Sequence, residues 1–258
     1  MRSTSFDPTS SVRVRRRRGV PRVRRVTTDE AVPRAVVVVP MHNEATVVAD
    51  VVTELLTAFA VVVCVDDGSS DDSAAVARAA GAVVVPHPTN LGQGAALETG
   101  IRFALSLPAT EYVVTFDADG QHDVADARAM VERAVHRDLQ VVLGSRFLDA
   151  SGQVPFARRL LLRGAVRFTR HTTGLALTDA HNGLRVLRRD AAETVRLRLH
   201  GMSHASEILT VLARCDFSVE EHPVTIRYTD YSRAKGQRGY NALNILFDLA
   251  VNRVRAAA

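Results

Sequence analysis

A chain of 258 residues with 47% apolar and 24% charged residues can bury a full core, which excludes a fibrous or wholly disordered protein and points to one large domain, with or without extensions. Its two cysteines, Cys64 and Cys215, lie in apolar stretches without metal-ligand spacing; this excludes a disulfide framework and fits buried free thiols in a reducing compartment. The net charge of +5 is concentrated in residues 1–34, where ten arginines face Asp7, Asp29 and Glu30, so the remaining body is slightly acidic and is not a basic nucleic-acid-binding domain.

The arginine-rich stretch VRVRRRRGVPRVRRV has no apolar face to bury and reads as a disordered arm over residues 1–34. Three roles stand open for it: lying on anionic lipid, where each basic residue contributes roughly 1 kcal/mol, touching RNA nonspecifically, or solvating the chain. No run of eighteen apolar residues occurs and no apolar segment follows the arginines, so neither a transmembrane helix nor a secretory signal is expected. The expected place is the cytoplasm, with at most a peripheral contact at the inner face of a membrane.

From residue 35 the elements alternate. AVVVVP (35–40) is a β-branched run of the kind that forms a strand buried on both faces. Val47, Val48, Val51, Val52, Leu55 and Leu56 then recur at helical spacing. VVVCVDD (61–67) is a second strand, and SSDDSAAVARAAG a helix with Ser70 as candidate N-cap and Gly81 as its stop. AVVVP (82–86) is a third strand, followed by a helix over 95–105 with apolar residues at 97, 101, 104 and 105. YVVTF, a helix over about 125–137 and VVLGS complete this half. Strands alternating with helices predict an α/β fold, a mostly parallel, Rossmann-like sheet joined by right-handed crossovers and flanked by helices.

Beyond residue 150 the pattern is less regular. LLLRGAVRFTRHTTGL is basic and amphipathic, 204–214 reads as helix, and FSVEEHPVTIRY alternates like an antiparallel strand. Ala242 to Val254 carries Leu243, Leu246, Leu249, Ala250 and Val254 at helical spacing; core packing and an interfacial membrane helix are both compatible with that stripe. The expected division is an arm over 1–34, a domain over 35–240 and a C-terminal amphipathic helix over 241–258.

Parallel sheets bind ligands outside the carboxyl ends of their strands. Pro40-Met41-His42-Asn43-Glu44, Asp66-Asp67-Gly68-Ser69, Asp117-Ala118-Asp119 and Gly144-Ser145-Arg146 each follow a strand, which places all of them on one rim. Asp117 and Asp119 are like charges one residue apart at the end of a buried run. They either share a cation or form a solvated turn, and their place on the rim favours the cation.

The stretches VVVVPMHNE, VCVDDGSSDDS, NLGQGAALETG, FDADGQH, GSRF, DAHNGLRVLRR and YSRAKGQ, in this order over residues 35–240, resemble the family 2 glycosyltransferases. They are most similar to the polyprenyl-phosphate branch that includes dolichol-phosphate mannose synthase. The resemblance implies a GT-A fold with an antiparallel and helical C-terminal region on the acceptor side, whose loops hold a GDP- or UDP-linked sugar. It implies Mg²⁺ or Mn²⁺ held by Asp117, Asp119 and the amide oxygen of Gln121, since all-oxygen ligands suit a hard cation. His122 reads as a turn residue or a further ligand. Pro40, Asn43, Glu44 and Ala118 match positions that line the nucleotide, and Asp67 matches the acidic residue that reads base or ribose. Asp66 matches its neighbour, with a turn or capping role equally open.

Gly92 and Gly94 would let the backbone approach the phosphates, while Gln93 stands where many relatives have lysine. Arg146, a planar five-donor group, suits bidentate phosphate recognition, a surface ion pair being its other reading. Asp179, Gly183 and Arg185 match an Asp-x-x-x-Gly-Phe-Arg pattern with Leu184 in place of Phe, and Glu207 matches an acidic residue on the following helix. Arg233 and Lys235, the latter the only lysine of the chain, match basic positions of a loop over the phosphates. The implied reaction is inverting transfer of a hexose to a polyprenyl phosphate, which needs no general base; a hydroxyl acceptor would need one, with Asp179 or Glu207 as candidates. A nucleotidyltransferase would carry a glycine-rich basic loop where PMHNE stands, and a processive polysaccharide synthase a tryptophan motif, whereas the chain has no tryptophan. A noncatalytic binding protein would be expected to lose the acidic pair. No specific nucleic-acid partner is expected, and a homo-oligomer is left open.

Overall fold

The computed structural model describes residues 34–148, 164, 167, 177–179, 182–197 and 204–227. The arginine-rich arm, Arg233, Lys235 and the C-terminal amphipathic segment lie outside the described residues. The chain runs β1 (Ala35–Met41), α1 (Val48–Ala58), β2 (Val61–Asp66), α2 (Ser73–Ala79), β3 (Val83–Pro86), α3 (Gln93–Ser106), β4 (Tyr112–Thr115), α4 (Val124–His136), β5 (Val141–Ser145), β6 (Arg185–Arg188), α5 (Arg189–Thr194), α6 (His204–Ala213) and β7 (Val219–Pro223).

These strands form one seven-stranded sheet in the order β3-β2-β1-β4-β6-β5-β7. Only β6 runs antiparallel to its neighbours; the other pairings are parallel. The mostly parallel α/β sheet is therefore as expected, with one correction. VEEHP pairs in parallel with β5, Val141 opposite Val219 and Ser145 opposite Pro223. All five of its residues are half-buried, and alternation along a strand assigns residues to the two faces of the sheet whichever way the strand runs, so the pattern read from sequence did not report strand direction.

β1 shows why the sheet carries helices on both faces. Val37, Val39 and Met41 pack into one core with Val48, Val52 and Leu55 of α1 and Met130 and Val131 of α4. Val36 and Val38 face the other way, among Leu97, Ile101 and Ala104 of α3 and Ile208 and Leu212 of α6. Successive strand residues point to opposite faces, so a strand buried on both must be apolar throughout. A Cβ on Gly100 would overlap the Val38 side chain; the glycine lets α3 lie directly on β1.

Gly81 ends α2 with φ +107, as expected of a helix stop. Ser70 is not the N-cap of α2, which begins at Ser73 after Asp72 with no side-chain cap; a competing contact described below draws Ser70 away. Cys64 is fully buried, and burial pushes its thiol up to about 12, whereas Cys215 is only half-buried.

Candidate active site

Every parallel strand ends on the same rim, and the antiparallel β6 begins there. At the end of β1 the chain turns through Asn43, whose φ of 55 is tolerated by asparagine. Its N–H donates to Ser69 Oγ at 2.9 Å, and its Oδ1 accepts from the Ser70 N–H at 2.8 Å and from the Ser70 hydroxyl. Glu44 N–H donates to Ser73 Oγ at 2.7 Å. Asn43 thus staples the first loop to the second, and Ser70 serves that staple instead of capping α2. Asp66 accepts from the Ser69 N–H at 3.2 Å, which is the turn role that the sequence left open.

Asp67 is buried and heavily engaged. Its Oδ1 accepts from Leu91 N–H at 2.9 Å and from His87 Nδ1–H at 2.8 Å, and its Oδ2 accepts from Gly92 N–H at 2.7 Å. Burial alone would raise its carboxyl, but the hydrogen bonds from His87, Leu91 and Gly92 outweigh it and hold the group below the usual carboxylate value. Asp67 therefore fixes the loop in front of α3. Gly92 adopts φ +93 there, while Gly94 is buried inside α3.

The turn after β4 closes on itself through Gly120, φ +71. Gln121 N–H donates to Asp119 Oδ1 at 3.0 Å. His122 folds back under the turn, its ring packed edge-on against Phe116 at 5.4 Å and its Nε2 3.0 Å from Asp117 Oδ2. Gln93 Nε2 donates to the other oxygen of Asp117 at 3.2 Å. His122 is thus a buried partner of Asp117 and not a solvated turn residue. Gly183 abuts the same carboxylate so closely that any Cβ there would overlap it. Asp119 forms no ion pair among the described residues. Its carboxyl is pushed up to about 6, first by burial and next by the charge of Asp117, against the smaller opposing pull of the Gln121 N–H and His122.

These groups surround a cavity of about 500 Å³. Pro40, Met41, His42 and Glu44 form one side, Asp67, Asn90, Gly92 and Gln93 the second, and Asp117, Ala118, Asp119 and Gln121 the third. Of the residues expected to hold a nucleotide, Pro40, Glu44, Asp67, Gly92 and Ala118 line it, whereas Asn43, Asp66 and Gly94 support it from behind. Gln93 and His122, read in sequence as a lysine-replacing residue and as a turn residue or further ligand, are instead partners of Asp117. Their signal lay in position, one at the start of the helix facing the turn and one five residues beyond Asp117.

A second group stands beside the cavity. Arg146 follows β5 and grips Asp179 bidentately, Nε to Oδ2 at 2.6 Å and Nη2 to Oδ1 at 2.7 Å; the Asp179 side chain is only 1% exposed. Arg185 starts β6, 2% exposed, with Nη1 lacking a hydrogen-bond partner. Burial pulls its guanidinium below the usual value, against the charges of Asp117 and Asp179. Arg185 thus links the two groups electrostatically. Glu207 lies in the first turn of α6 and is not among the residues lining the cavity.

The donor set fits a hard divalent cation that is completed by a ligand. Among the described residues no group of three or more metal-ligating side chains occurs, and the Asp117–Asp119 pair would hold a cation together with oxygens of a ligand. Mg²⁺ in particular is usually bound by one or two carboxylates plus substrate phosphates. The raised carboxyl of Asp119 reflects burial first and the charge of Asp117 second, and a bound cation would offset both.

A doubly covered, mostly parallel sheet with an acidic pair lining a cavity at the carboxyl ends of its strands is an architecture of the GT-A type. Residues 36–196 match the family model described as Glycosyl transferase family 2. The chain belongs to that family and is a glycosyltransferase. It is 31% identical over 223 residues to an uncharacterised protein of Methanocaldococcus jannaschii, covering 84% of this chain and 91% of the relative. It is 29% identical over 171 residues to the UDP-N-acetylglucosamine–dolichyl-phosphate N-acetylglucosaminyltransferase of Methanococcus voltae, covering 65% and 68% of the two chains. In structure it is similar to glucosyl-3-phosphoglycerate synthase from Mycobacterium tuberculosis in complex with Mg²⁺ and UDP, with a TM-score of 0.56 at 20% identity over 78% of this chain and 74% of that one. That likeness establishes the GT-A fold.

Proposed function

We propose that this glycosyltransferase moves a hexose from a nucleotide-diphosphate sugar to the phosphate of a polyprenyl phosphate, with inversion at the anomeric carbon and with Mg²⁺ or Mn²⁺ at Asp117 and Asp119. The observation that carries the donor half is Asp119, a carboxylate destabilised by burial and by Asp117 at the mouth of the cavity. When bound, the cation offsets the charge that develops on the leaving diphosphate. Asp117 is aimed by Gln93 and His122, Gln121 offers its amide oxygen from the same turn, and the ordered loops that carry Pro40, Glu44, Asp67 and Gly92 hold the nucleotide. The Methanococcus voltae relative, named for a UDP-linked sugar, supports a uridine diphosphate donor.

The acceptor half favours a phosphate over a hydroxyl. A hydroxyl needs a base, yet Asp179 has both oxygens gripped by Arg146 and Glu207 does not line the cavity. An acceptor phosphate is already ionised near neutral pH and attacks when positioned, so orientation and charge compensation supply the rate. Arg146 and Arg185 are the described cations beside the cavity, with Arg233 and Lys235 proposed to add to them. The dolichyl phosphate in the name of the Methanococcus voltae enzyme points the same way.

Among the described residues no helix is long and apolar enough to cross a membrane. The same reading therefore assigns contact with the inner membrane face to the arm over 1–34 and the segment over 241–258, and loss of binding to anionic vesicles on deleting 1–34 tests the arm. The reaction is tested by incubating the protein with a panel of nucleotide-sugars, Mg²⁺ or Mn²⁺ and polyprenyl phosphate. A glycolipid product is expected. No glycolipid with any donor, beside robust transfer to a soluble hydroxyl acceptor, sinks the lipid-phosphate reading.

A further inference from the structure

Glu221 lies on the edge strand β7, paired in register with Leu143 of β5, and its carboxylate points into the network that carries Asp179. Its oxygens accept from Thr178 N–H at 2.8 and 2.9 Å, from the Thr178 hydroxyl at 3.0 Å, and from Asp179 N–H at 3.0 Å. Since the Thr178 hydroxyl proton goes to Glu221, the Thr178 oxygen accepts from the Ser145 hydroxyl, 2.6 Å away. Ser145 Oγ accepts in turn from Phe147 N–H at 3.2 Å. A single carboxylate thus orders the residues on both sides of Arg146 and also the aspartate that grips it. An ionised carboxylate accepts at both oxygens without donating, so this position is specified chemically and not by size alone.

We propose that Glu221 is a positioning residue for the acceptor-binding arginine, acting through Thr178 and Asp179 on the Arg146 guanidinium. The inference rests on the reading that Arg146 and Asp179 serve the acceptor phosphate. Glu221→Gln keeps the shape but puts an NH₂ group in place of one carboxylate oxygen, against the Thr178 N–H and hydroxyl that both oxygens accept from, so the shared acceptance that orients Thr178 is lost. The second strand-end segment then loosens while the cavity beside Asp117 and Asp119, which Glu221 does not line, is untouched.

The experiment compares wild type, Glu221→Gln, Asp179→Asn and the double variant by steady-state kinetics, with Mn²⁺-dependent UDP binding measured in parallel. Glu221→Gln is expected to raise the KM for polyprenyl phosphate about 10- to 100-fold, as outer residues behind a ligand-holding group commonly do. The KM for nucleotide-sugar and the Mn²⁺-dependent UDP affinity stay unchanged. The double variant is expected to be no worse than Asp179→Asn alone, because both changes break one chain of contacts. An unchanged acceptor KM in Glu221→Gln beside a raised one in Asp179→Asn overturns the role of Glu221 and leaves the acceptor reading standing, as do fully additive effects. A raised donor KM in Asp179→Asn, with acceptor KM unchanged, instead overturns the acceptor reading itself. Should Glu221→Gln fail to fold, Thr178→Val removes only the hydroxyl link; a several-fold rise in acceptor KM supports the proposal, and wild-type kinetics in that variant overturn it.

Discussion

The two halves of the rim handle charge in opposite ways. Around β1, β2 and β4 an acidic pair opens onto a cavity of about 500 Å³, and Asp119 is held near 6 without an ion-pair partner among the described residues. Around β5, β6 and β7 the charges are answered from within, Arg146 by Asp179 and the Asp179 backbone by Glu221. In the first half a bound cation would offset that electrostatic cost, and in the proposed function this gain favours metal and diphosphate together. In the second half Arg146 and Asp179 already answer each other, while the buried Arg185, its Nη1 without a hydrogen-bond partner among the described residues, carries its charge toward Asp117. The proposed function thus has repulsion favour a leaving-group counter-ion and an ion pair hold the acceptor side in shape.

Asp119→Ala separates the two most sharply. Metal-dependent transfer should fall on the order of a thousandfold, as on losing a group that stabilises transition-state charge, measured by initial rates with saturating Mn²⁺. The same change should stabilise the metal-free fold. A carboxyl raised in the folded state from the ordinary 3.8 to about 6 costs stability wherever it must ionise, so the cost is full above about pH 6 and vanishes below 3.8. That rise corresponds to roughly 3 kcal/mol at most. In EDTA the variant should melt higher than wild type at pH 8 and equally at about pH 3. Equal melting at both values would mean that the repulsion read here is absent.

In the other half the sign reverses. Arg146→Ala leaves the Asp179 carboxylate buried without its cation, which should lower stability by about 3 kcal/mol. It should also reduce kcat/KM for the acceptor about 100-fold. Denaturant unfolding and kinetics at saturating donor check the pair of effects. A stabilised Arg146→Ala would erase the contrast between the halves.

The donor half was largely legible in the sequence, because its chemistry sits in contiguous strand-end loops such as PMHNE, DDGS and FDADGQ. A parallel sheet places such loops together without further information. The acceptor half was legible only as residue types. Arg146 and Asp179 lie 33 positions apart and meet bidentately, and Glu221, carried beside β5 on β7, joins them from 42 positions beyond Asp179. Periodicity misread that strand as antiparallel, since alternation in sequence tells which face each residue takes and not which way the strand runs. Ser70 was misassigned for a similar reason: a capping residue beside a helix start looks the same in sequence whether its oxygen meets the helix or, as here, Asn43. His122 looked like a turn residue because its partner, Asp117, lies behind the turn that Gly120 makes.

Gly183→Ala tests whether β6 helps to set the metal site. Its new Cβ would overlap the Asp117 carboxylate, forcing that side chain off Gln93 and His122. A loss of about 10- to 100-fold in Mn²⁺ affinity is expected, with about 1–3 kcal/mol of destabilisation from overpacking. Titrating Mn²⁺ in the presence of UDP reads the first effect. Wild-type affinity would show that Asp117 is free to move without consequence.

The smallest effect belongs to the strap that follows β7. Arg227 donates its backbone N–H to the Gln121 carbonyl at 2.8 Å, and Ile226 bridges to His122. The Arg227 guanidinium meets Asp123 at 2.6 Å and Glu54 at 3.2 Å, with its own side chain 44% exposed. Backbone and side chain thus both tie the second half of the rim to the turn after β4, but only the backbone bond reaches a proposed ligand residue. Arg227→Ala keeps that bond and removes two solvent-screened ion pairs, so it should cost less than about 1 kcal/mol and leave Mn²⁺ affinity within about twofold. A tenfold loss of affinity with little change in melting would show instead that the guanidinium positions the turn through Asp123, and that the two halves are coupled through charge and not only through the sheet.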